Sequence, residues 1–275
     1  MKPTLTIIGS GHLARTLGRL WHDHGGVEVR DVLSRSPENA KAARDFIGGG
    51  RPLQDYADLA EADIYLIATP DDQIARCCEQ LAASGLVKPG VVVFHCSGAL
   101  LSAVLAPAAA CGALTASIHP VRSFASPEQV ALSFAGTWCG VEGDKAALAV
   151  LRPLFTRIGA KLVDIDPAAK TVYHAAAVFA CNYLVTLLDV AVQAYGHAGI
   201  ARDVAMQMMA PLVHKTVDQA FAAGTPAALS GPIARGDMET VARQQAAVSA
   251  WDADKGELYA LLAKETLALA QRRGR

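Results

Sequence analysis

Up to residue 166 the chain alternates short apolar runs with amphipathic stretches, and beyond it long Ala- and Leu-rich segments take over while the β-branched runs disappear. Segments 5–8 and 27–33 read as strands, and so do the continuous apolar runs at 64–68 and 91–94, which suit strands covered on both faces. Further strands are expected at 114–118, 137–141 and 162–165, which makes roughly seven. Between them one helix runs from about His12 to the Gly25-Gly26 stop, and another opens at Pro37 behind the cap residue Ser36. Strands that alternate with helices predict a parallel sheet with crossover helices, hence an α/β, doubly wound domain over 1–166. The remainder, 167–275, is expected to be all-helical, with helices over roughly 168–197, 201–223, 238–250 and 255–273.

The first of those helices is about 30 residues long and apolar around most of its circumference, so it has to be covered on nearly every side. A buried central helix or a dimer interface would do that. Its most apolar run, 175–188, is interrupted by Asn182 and falls short of the roughly 20 residues a membrane span needs, so a buried helix is expected and a membrane partner is not.

One junction carries specific chemistry. The first strand runs straight into Gly9-Ser10-Gly11-His12-Leu13-Ala14, a G-x-G-x-x-A pattern at the start of a helix. In a Rossmann domain Gly9 would allow the tight turn, Gly11 would let a pyrophosphate approach the backbone, and Ala14 would let the helix pack closely on the strand. The free amides of the helix N-terminus would then meet the phosphates. Where an NAD-binding chain carries an acid at the tip of the second strand, this one reads Ser34-Arg35-Ser36, a set able to hold a 2′-phosphate, so NADP (NADPH) is expected. Asp31 is the competing ribose contact. Ala68-Thr69-Pro70-Asp71 follows the third apolar run and is expected to flank the nicotinamide, because ligands sit at the C-terminal ends of strands in open α/β sheets.

Composition narrows the partners. Apolar residues make up 52% and charged residues 19% of 275, a globular balance, and 25 Lys plus Arg against 26 Asp plus Glu leave no field to draw in nucleic acid. Six cysteines, at 77, 78, 96, 111, 139 and 181, lack the spacing of a zinc site or a disulfide scaffold. With no signal-peptide pattern at the N-terminus, a cytoplasmic location is expected. The eight histidines form no H-x-x-x-H or H-E-x-x-H group, so no metal site is expected.

Taken together, the segments IIGSGHLA, VLSRSPENA, IATPDDQI, HCSGAL, HPVRSF, YHAAAVFACNYLVTLL and GPIARGD resemble, over nearly the whole chain, the Rossmann-fold NADP or deazaflavin-linked oxidoreductases that carry a C-terminal helical domain of unassigned function. More distantly the layout is similar to pyrroline-5-carboxylate reductase, ketopantoate reductase and the β-hydroxyacid dehydrogenases, whose helical domain is of the 6-phosphogluconate-dehydrogenase C-terminal type. The resemblance implies a homodimer built through the helical domains and hydride transfer between NADPH and a small carbonyl, imine or hydroxy-acid substrate in a cleft between the domains. Alternatives are hydride exchange with a deazaflavin and a catalytically silent NADP sensor or scaffold.

The proton that accompanies a hydride needs an acid or base. His174, Val178 and Asn182 fall at i, i+4 and i+8, which is one face of an α-helix. In the related dehydrogenases a Lys followed by Asn residues at this spacing supplies the acid and the orienting amide. By that resemblance His174 stands at the Lys position and Asn182 at the later Asn, while Val178 departs from the pattern. Imidazole titrates near neutrality and can move the proton. Ser97, in the Ser-Gly pair that ends the VVVFHCSGA segment, and His119, at the end of the next strand, are expected as substrate contacts. Gly231–Asp237 is a loop that could reach the site from the partner subunit, or an Arg–Asp pair that only shapes the turn.

Overall fold

A computed structural model describes residues 2–273 of the chain. It forms two compact units that divide between Ala180 and Cys181, later in the chain than the change of composition at 166, so the segment after Pro167 packs with the sheet before the second unit begins.

The first unit is built on eight strands: β1 (Thr4–Ile8), β2 (Glu28–Leu33), β3 (Arg51–Leu53), β4 (Ile64–Ile67), β5 (Val92–His95), β6 (Leu114–Pro120), β7 (Trp138–Gly143) and β8 (Lys161–Asp164). They are ordered β3-β2-β1-β4-β5-β6-β7-β8 in one sheet. All seven strands expected from the apolar runs are present. The eighth, β3, is a three-residue edge strand with Pro52 at its centre, paired opposite Val32. It has no apolar run to betray it, and only an edge strand tolerates a proline there. The parallel expectation holds from β3 to β6; β7 then pairs antiparallel with β6, and β8 runs parallel to β7.

Helices α1 (His12–Asp23), α2 (Pro37–Ile47), α3 (Asp71–Ala83), α4 (Ala106–Ala110), α5 (Pro127–Leu132) and α6 (Lys145–Arg157) connect the strands. Alternate side chains of each central strand go to opposite cores. Leu5, Ile7, Ile64, Leu66, Val92 and Phe94 pack on one side with residues of α1, α2 and α6, whereas Ile8, Tyr65, Ile67 and Val93 pack on the other with Ile74, Cys78 and Leu81 of α3. At the centre of the first core Trp21, Phe94 and Phe155 meet edge to face, with Trp21 and Phe155 centroids 5.2 Å apart. The Trp21 indole N–H donates to the Leu154 carbonyl at 3.1 Å, so its one polar atom is paired.

After β8 come α7 (Lys170–Ala177), a π turn (Val178–Asn182) and α8 (Tyr183–His197). The helical run Pro167–His197 spans 31 residues with mean hydropathy 1.9, long and apolar enough to cross a membrane, and only 6% of its most apolar window is buried within the chain. The expected burial inside the chain is therefore not what covers it. The second unit continues with α9 (Arg202–Ala223), α10 (Thr225–Ala228), α11 (Pro232–Arg235), α12 (Met238–Trp251) and α13 (Ala253–Ala270). Its own core is thin: Val192, Ala205, Met209 and Val241 are its buried apolar side chains among the described residues. In the 231–237 segment Pro232 starts the short α11, and the Asp237 carboxylate caps α12 by accepting from the Thr240 amide at 3.1 Å.

Replacing Phe155 by Ala is expected to lower the unfolding free energy by about 3–5 kcal/mol, the range for removing a fully buried aromatic side chain, as measured by urea denaturation. A loss below about 1 kcal/mol would mean that the three-ring contact is not the centre of the core.

Candidate functional site

Strands β1, β2, β4, β5 and β6 share one direction, so the segments that follow them gather along a single edge of the sheet. Four of the sequence motifs meet there. Gly9 has φ +119, and a Cβ on it would lie 2.3 Å from the Ala68 carbonyl oxygen, so this glycine is demanded by the protein's own packing of the first loop on the fourth strand's loop. Gly11 is different. It caps α1 in extended backbone at φ −71, a Cβ there would meet nothing within 4 Å, and no side chain caps the helix amides it precedes. Nothing inside the protein asks for a glycine at 11.

Around this turn the Ser10 and Ser34 hydroxyls are 2.8 Å apart, which links the glycine loop to the end of β2. His12 is exposed, with Nδ1 2.7 Å from the Phe124 carbonyl, and Leu13 packs against the core. The Ser36 hydroxyl caps α2 by accepting from the Asn39 amide. Arg35 is exposed and has no ion-pair partner among the described residues. Asp31, the competing ribose contact, is fully buried inside β2: one carboxylate oxygen takes Arg51 Nε at 2.7 Å and the other the Ala60 amide at 2.9 Å. Its carboxylate is wholly shielded from solvent. Thr69 carries a buried hydroxyl without a partner, and Pro70 leads into α3.

A second polar group lies at the ends of β5 and β6 under α7. Ser97 was expected to meet substrate, yet its hydroxyl donates to Asp71 Oδ2 at 2.7 Å and accepts from the Ala99 and Leu100 amides at 3.1 and 2.9 Å. It shapes the turn at Gly98. On that glycine two imidazoles converge: a Cβ would lie 2.3 Å from His174 Nδ1 and 2.7 Å from His119 Nε2. The two rings are 5.5 Å apart between centroids, and His174 Nδ1 is buried without a hydrogen-bond partner. His119 and His174, drawn from separate parts of the sequence, are thus brought together. Asn182 is not placed as expected, because it lies exposed in the π turn, which holds more residues per turn than an α-helix and so breaks the i, i+8 face.

Three residues of this group were not singled out from the sequence. Lys170, one helical turn before His174, has 1% of its side chain exposed, and its Nζ donates to Glu142 Oε1 at 2.8 Å and to the Ser117 hydroxyl at 2.5 Å. Glu142 also accepts from the amide and hydroxyl of Ser102. Tyr173 places its hydroxyl 3.0 Å from His119 Nδ1. The i, i+4 spacing of Lys170 and His174 was a legible signal; Glu142, a single acid between Val141 and Gly143, offered none. Burial pushes the Glu142 carboxyl up, but the bonds from Lys170 and Ser102 outweigh it and leave it below its usual range. Burial lowers Lys170, and it lowers His95 and His119 to about 4, so both imidazoles are neutral near pH 7.

Removing one member of a buried ion pair strands the other charge, so Lys170→Met is expected to cost about 3–5 kcal/mol in urea unfolding, with most of the loss recovered when Glu142→Leu is added. Because the folded-state pKa of Glu142 is depressed, its contribution is present above the ordinary carboxylate range and is lost as pH falls through the depressed value. The double replacement should lose that acid limb, and an unchanged limb would show that other carboxylates carry it.

Comparison with known proteins agrees with the two-part layout. Residues 2–120 match the family model of a Rossmann-like domain, and residues 137–266 match that of a domain of unknown function, DUF2520. Among solved structures the chain is similar to protein TM1727 from Thermotoga maritima, at 25% identity and TM-score 0.79, over 98% of this chain and 100% of that one. It is also similar to a candidate NADP oxidoreductase, BF3122, from Bacteroides fragilis, at 20% identity and TM-score 0.74 over 97% and 98% of the two chains. A pyrroline-5-carboxylate reductase from Coxiella burnetii shares the fold at 14% identity and TM-score 0.60, with 100% of each chain covered. A comparison with curated proteins finds no match to the sequence. The chain thus carries a Rossmann-like domain over residues 2–120 and a DUF2520 domain over residues 137–266.

Proposed function

We propose that the protein is an oxidoreductase that binds a nicotinamide dinucleotide, NADP in preference to NAD, and moves a hydride between it and a small carbonyl, imine or hydroxy-acid substrate. The observation that carries this reading is the open space over Gly11: a glycine that no internal contact requires, at the uncapped start of a helix, is accounted for by a phosphate lying against the backbone. Gly9, Ser10, Gly11, His12 and Leu13 would hold the pyrophosphate with their amides. Ser34, Arg35 and Ser36 would hold a 2′-phosphate, a role that the fully buried Asp31 does not contest. Ala68, Thr69, Pro70 and Asp71 would flank the nicotinamide. Bound there, the nicotinamide supplies or accepts the hydride.

His119 and His174 would be the substrate-side groups, since they converge on Gly98 from different elements and neither ring is fully buried. His174 would move the proton through Nε2, its other nitrogen being buried. Asn182 keeps at most an orienting role. The fold likeness to a candidate NADP oxidoreductase and to a pyrroline-5-carboxylate reductase supports the reaction class. We further propose that a second copy of the chain covers the apolar run at 167–197, in which Val172 and Val185 are 72% and 66% exposed. Six free cysteines fit a reducing, cytoplasmic setting.

The first test is thermal stabilisation by NADPH and NADH. NADPH is expected to stabilise more. Arg35→Ala should weaken NADPH about 10- to 100-fold, the equivalent of one charge-assisted contact, and leave NADH unchanged. Gly11→Val should fold normally and lose both coenzymes by at least about tenfold. Stronger stabilisation by NADH would overturn the 2′-phosphate assignment, and no stabilisation by either would overturn the enzyme reading. In light scattering the mass should be twice the 28.7 kDa of one chain; a monomer would refute the proposed partner.

A further inference from the structure

The two nitrogens of His119 have different surroundings. Nδ1 faces the Tyr173 hydroxyl at 3.0 Å, with the rings edge to face at 5.7 Å, whereas Nε2 faces Gly98. The Tyr173 hydroxyl itself rests on another glycine: a Cβ on Gly140 would come within 2.4 Å of that oxygen. Two glycines thus leave the room that the Tyr173–His119 pair and its free nitrogen occupy. The phenol keeps its proton, because burial pushes its pKa up against the smaller opposing effect of the Gly140 backbone amide on the same oxygen. With that proton directed at Nδ1 of His119, the imidazole is the acceptor of the pair. A neutral imidazole that accepts at Nδ1 carries its hydrogen at Nε2.

In that tautomer His119 carries a neutral N–H at Nε2, on the side of the ring that faces Gly98. Burial at the end of β6 lowers its pKa most, His174 and Lys170 on α7 lower it further, and Asp71 at the start of α3 opposes them. Lys170 cannot serve as the substrate's cationic partner, since Glu142 and Ser117 already take its ammonium.

We propose that the substrate of this site is an aldehyde or ketone whose oxygen accepts a hydrogen bond from His119 Nε2–H, and that Tyr173 is the positioning residue that fixes this tautomer. The proposal rests on the hydride-transfer reading above and narrows it. A carbonyl oxygen offers lone pairs to a neutral donor. A protonated imine offers an N–H and a positive charge, and would set donor against donor. In the reduction the carbonyl carbon takes a hydride from the dihydronicotinamide, which is oxidised, and the C=O π pair passes to oxygen. The oxygen then forms an O–H bond with the proton released from protonated His174, which regains one from solvent. His119 stays neutral throughout and only stabilises the charge that develops on oxygen.

The test uses the full chain with 15N-labelled histidine and reads the tautomer of His119 directly by NMR, with His119→Asn for assignment. Between about pH 5 and pH 8 the wild-type ring should stay neutral with hydrogen on Nε2. In Tyr173→Phe it should lose the single tautomer while the melting temperature stays within a few degrees. In the second arm, NADPH oxidation is followed with a panel of aldehydes and ketones and a panel of cyclic imines. Carbonyls are expected to turn over faster, and His119→Ala to lower kcat about 100- to 1,000-fold. Tyr173→Phe should lower kcat by a smaller factor without raising KM.

A ring protonated at Nδ1, or one that titrates with an ordinary midpoint, would overturn the proposal while leaving hydride transfer intact. Faster turnover of imines would overturn the substrate class. The expected tautomer without NADPH oxidation by either panel would instead strike the hydride-transfer reading, and the substrate assignment would fall with it.

Discussion

An ammonium group with 1% of its side chain exposed has to be matched where it lies, and the match at Lys170 organises the site. Its partners come from β6 and β7, and through Glu142 the bonds reach Ser102 beyond the Gly98 turn. The start of α7 is thereby held against the sheet by charge-assisted bonds in a dry environment, where an unmatched charge would be costly. Once α7 is held, Tyr173 and His174 fall on His119 and Gly98. The pair's value lies less in net stability than in leaving α7 a single seat.

Glycines set the shape of this edge for distinct reasons. Gly9 and Gly143 adopt positive φ and lie against backbone carbonyls, so the chain itself excludes a side chain. Gly98 and Gly140 make room for the imidazoles of His119 and His174 and for the phenol of Tyr173. Gly11 has neither cause, and a vacancy of that kind at a helix start is best accounted for by something that arrives from outside. The same feature in sequence, a glycine in a loop, thus carries three physical meanings.

The second unit shows the opposite economy. Few of its side chains are buried, and valines and other large apolar residues of α8 and α9 remain exposed, including Val185 and Leu212. Entropy lost on ordering helices must be offset by apolar burial, and this unit buries little of its own. That is the physical basis for reading the apolar circumference of the 167–197 run as contact surface.

The linear pattern determined the layered α/β unit, the glycine turn and the change to helices, because those depend on local periodicity and on short-range turn chemistry. Seven of eight strands were legible on that basis, and β3 was not, since three residues around a proline have no period to show. His119 and His174 were legible as candidates. Their convergence on Gly98, the burial of Asp31, the bonds that engage the Ser97 hydroxyl, and the Lys170–Glu142 pair were decided only by the tertiary structure. Periodicity reports which face of an element turns inward. Which charges meet there depends on strands and helices brought together from distant parts of the chain, and no window along the sequence contains both partners.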